Sequence, residues 1–328
     1  MKILVAGAGG FIGSHLVKFL VDKGHTVIGT DIVEPKWEPS PAHEFYLAEL
    51  RSQMDYNWWD DETNTERNGE TNIEQVYQLA ADMGGVGEIT AYHARIARNN
   101  ILINTGMLDA GKTMGVSSFL FSSSACVYPQ YRQLDSNIDG LKEEYAYPAD
   151  PEEGYGWEKL FTEKLVQYYH EDYGLNTHIV RLHNVFGPLG TYEGGREKAP
   201  AALCRKIALA KDEDEIEVWG DGNQTRSFLY IDDCVKGLYA AMNANYNGPI
   251  NIGSEELVTV NELVDMIAKI AGKSIRKRYD TTKPQGVRGR NSDSSLALKV
   301  LGWSPKVPLE VGLERTYRWI YNQIKERR

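Results

Sequence analysis

Two short segments of the chain hold side chains that together can take up and return protons. Residues 122–129 read SSSACVYP, and residues 155–159 read YGWEK. On a helix, Tyr155 and Lys159 lie one turn apart on the same face. The pKa of a tyrosine is ordinarily about 10, and a nearby ammonium favours its anion. The spacing therefore predicts a tyrosine base assisted by a lysine.

A thiol and a second amine are further candidates for acid/base chemistry. Cys126 comes two residues after Ser124, where a predicted strand ends. A cysteine can act as a base where a cation or a helix end lowers its pKa from about 8.5. Lys198 precedes Pro200 in the string GGREKAP. From the residues alone, Cys126 could equally be a small buried side chain, and Lys198 part of an ordinary charged helix start.

A glycine turn, GAGGFIG, follows the first apolar run of the chain. Glycines spaced three apart between a strand and a helix let the backbone approach a pyrophosphate, whose charge meets free amides at the helix start. Asp31 ends the second predicted strand, where a carboxylate binds a ribose 2′-hydroxyl and repels a 2′-phosphate. The pattern predicts NAD rather than NADP. The residues of the turn expected to bind it are Gly7, Gly10, Phe11, Ile12 and Gly13.

The elements that must position these residues follow an alternating pattern. Short apolar runs alternate with helical stretches such as 11–23, which predicts an α/β fold with a doubly wound parallel sheet. After residue 182 the pattern changes to turns, a helix near 198–210 and isolated strands such as 228–231. We expect a cofactor-binding domain over 1–181, with returning segments near 227–253, and a smaller, mainly substrate-binding domain over 182–328. The candidate strands of the first part are 2–6, 26–31, 76–79, 118–122 and 178–181.

Composition limits the partners of the chain. With 36 Lys+Arg and 46 Asp+Glu in 328 residues, the net charge is −10, which disfavours a broad nucleic-acid-binding surface. No paired metal-ligand spacing is present among the seven histidines, so we expect no metal site. Three scattered cysteines and the lack of a long apolar run or charged leader predict a cytoplasmic protein without a membrane span. The polar stretch 60–72 is expected to form a solvated loop above Trp58 and Trp59.

Taken together, these segments resemble the extended short-chain dehydrogenase/reductase family. Its marks are the Gly-x-x-Gly-x-x-Gly turn, a serine-bearing strand end, Tyr-x-x-x-Lys and a distal sugar-nucleotide domain, and the resemblance covers essentially the whole chain. It implies a Rossmann-type sheet, bound NAD, a small C-terminal α/β sugar-nucleotide-binding domain, and a homodimer formed through the helix of Tyr155.

Within the family, the chain is most similar to epimerases that act on a GDP-sugar at carbons 3 and 5. The resemblance implies conversion of GDP-α-D-mannose into GDP-β-L-galactose by transient oxidation at carbon 4, inversion at carbons 5 and 3, and re-reduction. The strings that carry this likeness are AADMGGVG at 80–87, SSACVYP at 123–129, GGREKAPAALCRK at 194–206, WGDGNQTRSF at 219–228, NIGS at 251–254 and VRGRNSD at 287–293.

The resemblance also implies a role for each matching position. Tyr155 takes the proton of the carbon 4 hydroxyl, supported by Ser124 and Lys159, while NAD takes the hydride. Cys126 and Lys198 are the acid/base pair for the two inversions, and Glu49 lies near the adenine. Arg226 and Arg290 suit a diphosphate, because a guanidinium meets two phosphate oxygens at once. The substrate-binding residues implied are Gly84, Ser124, Ala125, Cys126, Asn184, Glu197, Lys198, Ala199, Lys206, Gln224, Thr225, Arg226, Ser227, Phe228, Tyr230 and Arg290.

Four other activities compete with this interpretation. A sugar-nucleotide dehydratase needs an acid pair where Ala125 and Cys126 stand, and a 4-epimerase typically has threonine at Cys126. A GDP-fucose synthase-like epimerase/reductase usually has histidine near the Lys198 position and uses NADPH, which Asp31 disfavours. A non-catalytic NAD sensor would be expected to lack the Tyr155–Lys159 pair. The reductase and other NAD-dependent sugar-nucleotide epimerases stay open as alternatives, and the non-catalytic NAD sensor stays open as a more remote one.

Overall fold

A computed structural model describes residues 1–52 and 73–327 of the chain. The expectations for Trp58, Trp59 and the polar stretch 60–72 fall outside these residues. In the described part, no helix is both long and apolar enough to span a membrane.

The largest sheet has seven strands, and all six neighbouring pairs run parallel. Their order is β11-β6-β5-β4-β1-β2-β3. This confirms the predicted doubly wound parallel sheet, and the five candidate strands coincide with β1, β2, β4, β5 and β6 to within two residues at each end. The strands are β1 (Lys2–Ala6), β2 (Thr26–Asp31), β3 (Glu44–Leu47), β4 (Gln75–Gln78), β5 (Ser118–Ser124), β6 (Thr177–Leu182) and β11 (Pro249–Ile252).

Helices cover both faces of this sheet. In β1, Ile3 and Val5 point into one apolar core while Leu4 and Ala6 point into the other, and all four are fully buried. Burial on both faces explains why the strand is a continuous apolar run rather than an alternating one. Helices α1 (Phe11–Asp22) and α6 (Ile231–Met242) supply the first core, whereas α3 (His93–Thr113) and α4 (Tyr155–Tyr173) supply the second.

The second half of the chain builds smaller sheets beside the large one, and contributes β11 back to its edge next to β6. The additional helices are α2 (Val86–Ala91), α5 (Ala199–Leu209), α7 (Val260–Ala271), α8 (Ser295–Leu301) and α9 (Leu309–Glu326). The additional strands are β7 (Val185–Phe186), β8 (Glu215–Trp219), β9 (Thr225–Ser227), β10 (Leu229–Tyr230), β12 (Leu257–Thr259), β13 (Arg276–Asp280) and β14 (Gly289–Arg290). Among these, β9 lies between β12 and β14.

Helix α4 is attached to the sheet by a buried ion pair. Glu163 accepts two hydrogen bonds from Arg181 of β6, from Nε at 2.9 Å and from Nη2 at 2.7 Å. Arg181 is 1% exposed. The Ser123 hydroxyl of β5 donates to the same carboxylate. Since a bidentate pair fixes both distance and orientation, it sets where α4 lies on the sheet.

A second buried carboxylate of α4 connects it to α3. Glu158 accepts hydrogen bonds from the side-chain amides of Asn100, at 2.8 Å, and Asn104, at 3.3 Å. Asn104 in turn accepts one from Gln78 of β4, at 2.9 Å. Buried polar groups are costly unless bonded, so these contacts specify one packing of α3 against α4.

We expect Glu163→Ala to lower the free energy of unfolding by about 3–5 kcal/mol, because it leaves the Arg181 guanidinium buried without its partner. Denaturant unfolding followed by circular dichroism measures this. Glu171 is exposed on the same helix, so Glu171→Ala should change the stability by no more than about 0.5 kcal/mol. Equal stability of the two variants would show that the ion pair does not hold α4.

Candidate active site

The glycine turn between β1 and α1 has no room for a side chain at Gly7, Gly9 or Gly13. Gly7 has a φ of +84°. A Cβ on Gly13 would lie 2.0 Å from the carbonyl oxygen of Gly7, and a Cβ on Gly9 would lie 2.0 Å from that of Val33. The backbone of this turn is thus packed tightly against its neighbours, while the start of α1 stays open for an anion.

A cavity of about 270 Å³ opens beside this turn. At its edge, Asp31 accepts hydrogen bonds from the backbone N–H of Gly9, at 3.0 Å, and of Ile32, at 2.7 Å. Burial raises the pKa of this carboxyl, and the bonds from backbone N–H groups lower it in part. The residues lining the cavity include Gly7, Gly10, Asp31, Ile32, Ala48, Glu49, Leu50, Arg51, Leu79, Ala80, Asp82, Asn99 and Arg196.

The cavity suits a dinucleotide. It combines a glycine turn that approaches closely, a helix start for a pyrophosphate and a strand-end carboxylate for a ribose. Glu49 also lines it and forms an ion pair with Arg51, which lowers the pKa of the Glu49 carboxyl. Phe11 and Ile12 are half-buried at the start of α1 and do not line this cavity.

Tyr155 and Lys159 lie in the first turns of α4, next to the end of β5. The ammonium of Lys159 is 5.6 Å from the centre of the Tyr155 ring, and donates a hydrogen bond to the Ser122 carbonyl at 3.0 Å. Ser124, at the end of β5, interacts with the Tyr155 phenol. The end of β5 and the start of α4 thereby bring the predicted serine, tyrosine and lysine together.

The pKa expected for Tyr155 differs from what the structure shows. The sequence predicts that Lys159 lowers it, but burial raises the pKa of Tyr155 well above its ordinary value. Nearby Cys126 and Glu158 raise the pKa of the phenol further, and burial lowers the pKa of the Lys159 ammonium. Only the Ser124 hydroxyl acts in the other direction on the phenol.

Cys126 follows β5 in a short 3₁₀ turn, 125–127. Its backbone N–H donates to Ser124 Oγ at 3.2 Å, and its Sγ lies 3.7 Å from Nη1 of Arg290. Burial raises the pKa of the thiol, Glu152 raises it further, and Arg290 lowers it. The side chain sits in one apolar cluster with Tyr155.

Lys198 immediately precedes α5, whose Pro200 lies in the first turn. Burial lowers the pKa of its ammonium, and nearby Cys126 raises it in part. The loop before it is bonded to the loop after β4, since the Gly85 N–H donates to the Arg196 carbonyl at 3.0 Å. Arg196 also pairs with Asp82, at 3.0 Å. The loop that bears Lys198 is therefore attached to the cofactor cavity.

Arg226 and Arg290 are register partners on the parallel strands β9 and β14. Arg226 donates to the Val287 carbonyl at 2.7 Å, and burial lowers the pKa of its guanidinium to about 10. Arg290 is 6% exposed and reaches the thiol of Cys126. The two guanidinium groups thus share one wall, and the Arg290 end is next to Cys126.

The other predicted substrate residues differ in how their side chains are placed. Several have anchored polar side chains: Lys206 donates to the Glu217 carbonyl at 2.8 Å, Gln224 to the Trp219 carbonyl at 2.7 Å, and Asn184 to the Ser227 carbonyl at 2.9 Å. Phe228 and Tyr230 instead pack edge-on against Phe186 in the core. The remaining ones are Gly84 after β4, Ala125 beside Cys126, Glu197 and Ala199 at the start of α5, and Thr225 and Ser227 in β9.

Sequence reasoning missed four residues that the structure places here. Asp82 and Arg196 line the cofactor cavity, and Gln133 and Glu152 bond to Arg290. Asp82 and Arg196 stand inside strings that carried the family likeness, so closer attention to their charges could have found them. Glu152 lies three residues before Tyr155, but no spacing rule points to it or to Gln133. In the described residues, no group of three or more His, Cys, Asp or Glu could hold a metal ion.

Comparison with known proteins agrees with this geometry. Residues 3–253 match the NAD dependent epimerase/dehydratase family. The chain is 43% identical to GDP-mannose 3,5-epimerase 1 of Oryza sativa subsp. japonica, over 99% of this chain and 83% of that protein. It is 29% identical to probable GDP-L-fucose synthase 1 of the same plant, over 98% and 93%.

One solved structure is similar to this chain over nearly the whole length of both proteins. The UDP-glucuronic acid 4-epimerase of Bacillus cereus, in complex with UDP-glucuronic acid and NAD, superposes with a TM-score of 0.80. It is 29% identical, and the match covers 98% of this chain and 100% of that one.

Gly13→Ala is expected to weaken NAD binding by roughly ten- to a hundredfold, since the new Cβ must displace the backbone of Gly7 at a cost of about 1–3 kcal/mol. Titration calorimetry on cofactor-stripped protein gives the affinity, and circular dichroism verifies the fold. In Gly87→Ala the added Cβ meets nothing within 4 Å, and the affinity should stay at the wild-type value. Wild-type affinity in Gly13→Ala would exclude this turn as the cofactor site.

Proposed function

The chain belongs to the NAD-dependent epimerase/dehydratase family, and from this premise we propose that it converts GDP-α-D-mannose into GDP-β-L-galactose. The observation that carries the proposal is the meeting of two acid/base pairs at the end of β5. Tyr155 with Lys159 is enough for oxidation and re-reduction at carbon 4. Cys126 with Lys198 adds a second pair, which a simple 4-epimerase does not need. The 43% identity to a plant GDP-mannose 3,5-epimerase supports the same substrate.

The first step is removal of the carbon 4 hydroxyl proton by Tyr155. NAD, when bound by the glycine turn, Asp31 and Lys159, supplies the acceptor that takes a hydride from carbon 4 and later returns it. Ser124 supports the tyrosine by favouring its anion. Lys159, anchored on the Ser122 carbonyl, holds a positive charge under the ring. A ketone at carbon 4 makes the hydrogens on carbons 3 and 5 acidic.

The inversions then need one group that removes a proton and another that returns it on the opposite ring face. Cys126 and Lys198 take these two roles. Burial raises the pKa of the thiol and lowers that of the ammonium, so it favours the uncharged form of each group. An uncharged thiol can give up a proton and an uncharged amine can accept one. Arg226 and Arg290, with their fixed guanidinium groups, bind anionic oxygens of the substrate.

We also propose a cytoplasmic homodimer formed through α4. Trp157, Phe161 and Tyr168 fall within about 40° of one another around this helix, and they are 50%, 54% and 52% exposed. Large exposed apolar patches on one helix face mark protein interfaces. A reducing compartment fits the three free cysteines.

Incubation with GDP-mannose in deuterated water tests the reaction. NMR of the sugar should show deuterium at carbons 3 and 5 with galactose stereochemistry, without added cofactor. An absence of exchange, even with NAD supplied, would contradict the proposal. Turnover of a 4-keto-6-deoxy GDP-sugar with NADPH under the same conditions would favour the epimerase/reductase alternative.

Two variants separate the two acid/base pairs. Tyr155→Phe should abolish both hydride transfer and exchange, because oxidation at carbon 4 comes first. Cys126→Ala should leave oxidation at carbon 4 detectable while lowering deuterium incorporation by roughly 10²-fold or more, the usual contribution of a positioned acid or base. Equal loss of both steps in Cys126→Ala would contradict the division of roles.

Phe161→Glu should convert the dimer to a monomer, because it places a charge inside the apolar patch. Sedimentation velocity measures the mass directly. Leu298 is an exposed apolar side chain on α8, at 57%, and Leu298→Glu should remain dimeric. A dimer that persists in Phe161→Glu would place the interface elsewhere.

A further inference from the structure

The guanidinium of Arg290 is held by three different side chains. Nε donates to Gln133 Oε1 at 2.7 Å, Nη2 pairs with Glu152, and Nη1 faces Cys126 Sγ at 3.7 Å. The side chains of Arg290 and Glu152 are 7% and 17% exposed. Water and salt screen a buried charged pair only weakly. The negative charge of Glu152 therefore also acts on the Cys126 thiol that Arg290 faces.

The segment that bears Glu152 is itself packed against Cys126. The Glu152 N–H donates to the Cys126 carbonyl at 3.0 Å. A Cβ on Gly156 would lie 2.4 Å from the same carbonyl oxygen, so α4 also approaches Cys126 closely. Glu152 is therefore connected to Cys126 twice, through its backbone and through Arg290.

We propose that Glu152 is a positioning residue for Cys126: its carboxylate holds the Arg290 guanidinium against the thiol and neutralises part of its charge. Glu152 thereby sets how readily the thiol gives up its proton. The consequence for catalysis rests on the proposed epimerase function. Neither the family match nor the glycine and Tyr-x-x-x-Lys motifs assign a role to Glu152.

Several charged groups face Cys126 from the elements around it. Arg290 lowers the pKa of the thiol, whereas burial and Glu152 raise it. Ser124 is a neutral partner on the same strand end. The other ionisable groups coupled to the thiol are Tyr155 and Lys159 of α4, Lys198 before α5 and Arg226 of β9. Glu152 is the carboxylate that opposes Arg290 in this set.

Glu152→Gln removes the charge and leaves the guanidinium in place. The amide oxygen can still accept from Arg290, and Gln133 keeps its bond to Nε. Gln133 is in turn fixed by donating to the Tyr128 carbonyl at 3.1 Å and the Pro129 carbonyl at 3.2 Å. The unopposed charge of Arg290 then favours the thiolate. The neighbouring exposed carboxylate, Glu153, provides the matched control Glu153→Gln.

The test is the pH dependence of iodoacetamide alkylation of Cys126 in the NAD-loaded enzyme without sugar, with the label located by peptide mass. We expect Glu152→Gln to lower the midpoint by about 0.5–1 pH unit, which at neutral pH makes alkylation roughly three- to tenfold faster. Glu153→Gln should match the wild type. An unchanged or raised midpoint in Glu152→Gln would overturn the proposal.

A conservative variant and a second readout complete the test. Glu152→Asp keeps the charge and should shift the midpoint much less than Glu152→Gln does; an equal shift would overturn the proposal. The second readout is the pH dependence of deuterium exchange into GDP-mannose in deuterated water. In Glu152→Gln, the acid limb of this profile should move to lower pH together with the alkylation midpoint. An acid limb that stays in place would overturn the catalytic part of the proposal. Alkylation needs no substrate, so failure of the epimerase function, seen as no exchange in the wild type, is distinguished from failure of this proposal.

Discussion

The buried ion pair between Glu163 and Arg181 is the constraint on which the catalytic arrangement depends. It joins α4 to β6, and the Ser123 hydroxyl connects the same carboxylate to β5. Because β5 ends in Ser124 and α4 begins at Tyr155, this pair sets the distance between the serine strand end and the tyrosine. Removing either charge would leave the other buried without compensation, which is the expensive case for an ion pair.

The remaining parts of the site come from other segments of the chain. The glycine turn brings the cofactor cavity to the ends of β1 and β2, and the 194–198 loop extends from its edge to Lys198. The small sheet of β12, β9 and β14 carries Arg226 and Arg290 as register partners. Burial, Glu152, Arg290 and Ser124 together set the acidity of the Cys126 thiol.

Local patterns were enough to predict the large sheet and the cofactor turn. The apolar run of β1, the glycine spacing and Asp31 act over neighbouring residues, and their structural consequences depend little on the rest of the fold. The pairing of Tyr155 with Lys159 is likewise fixed by helical geometry. Burial outweighs the predicted effect of Lys159 on the pKa of Tyr155, and this burial depends on tertiary packing that spacing does not reveal. Gln133 and Glu152 are found only when β14 brings Arg290 to them from more than 130 residues away.

In the proposed reaction, the sugar loses and regains the same hydride at carbon 4 while its neighbouring carbons exchange protons with water. GDP-mannose labelled with deuterium at carbon 4, turned over in ordinary water, tests this most directly. We expect the isolated GDP-galactose to keep its deuterium at carbon 4 and to carry none at any other carbon. Loss of the label to solvent, or its dilution by unlabelled NADH added during turnover, would contradict a hydride held within one closed site.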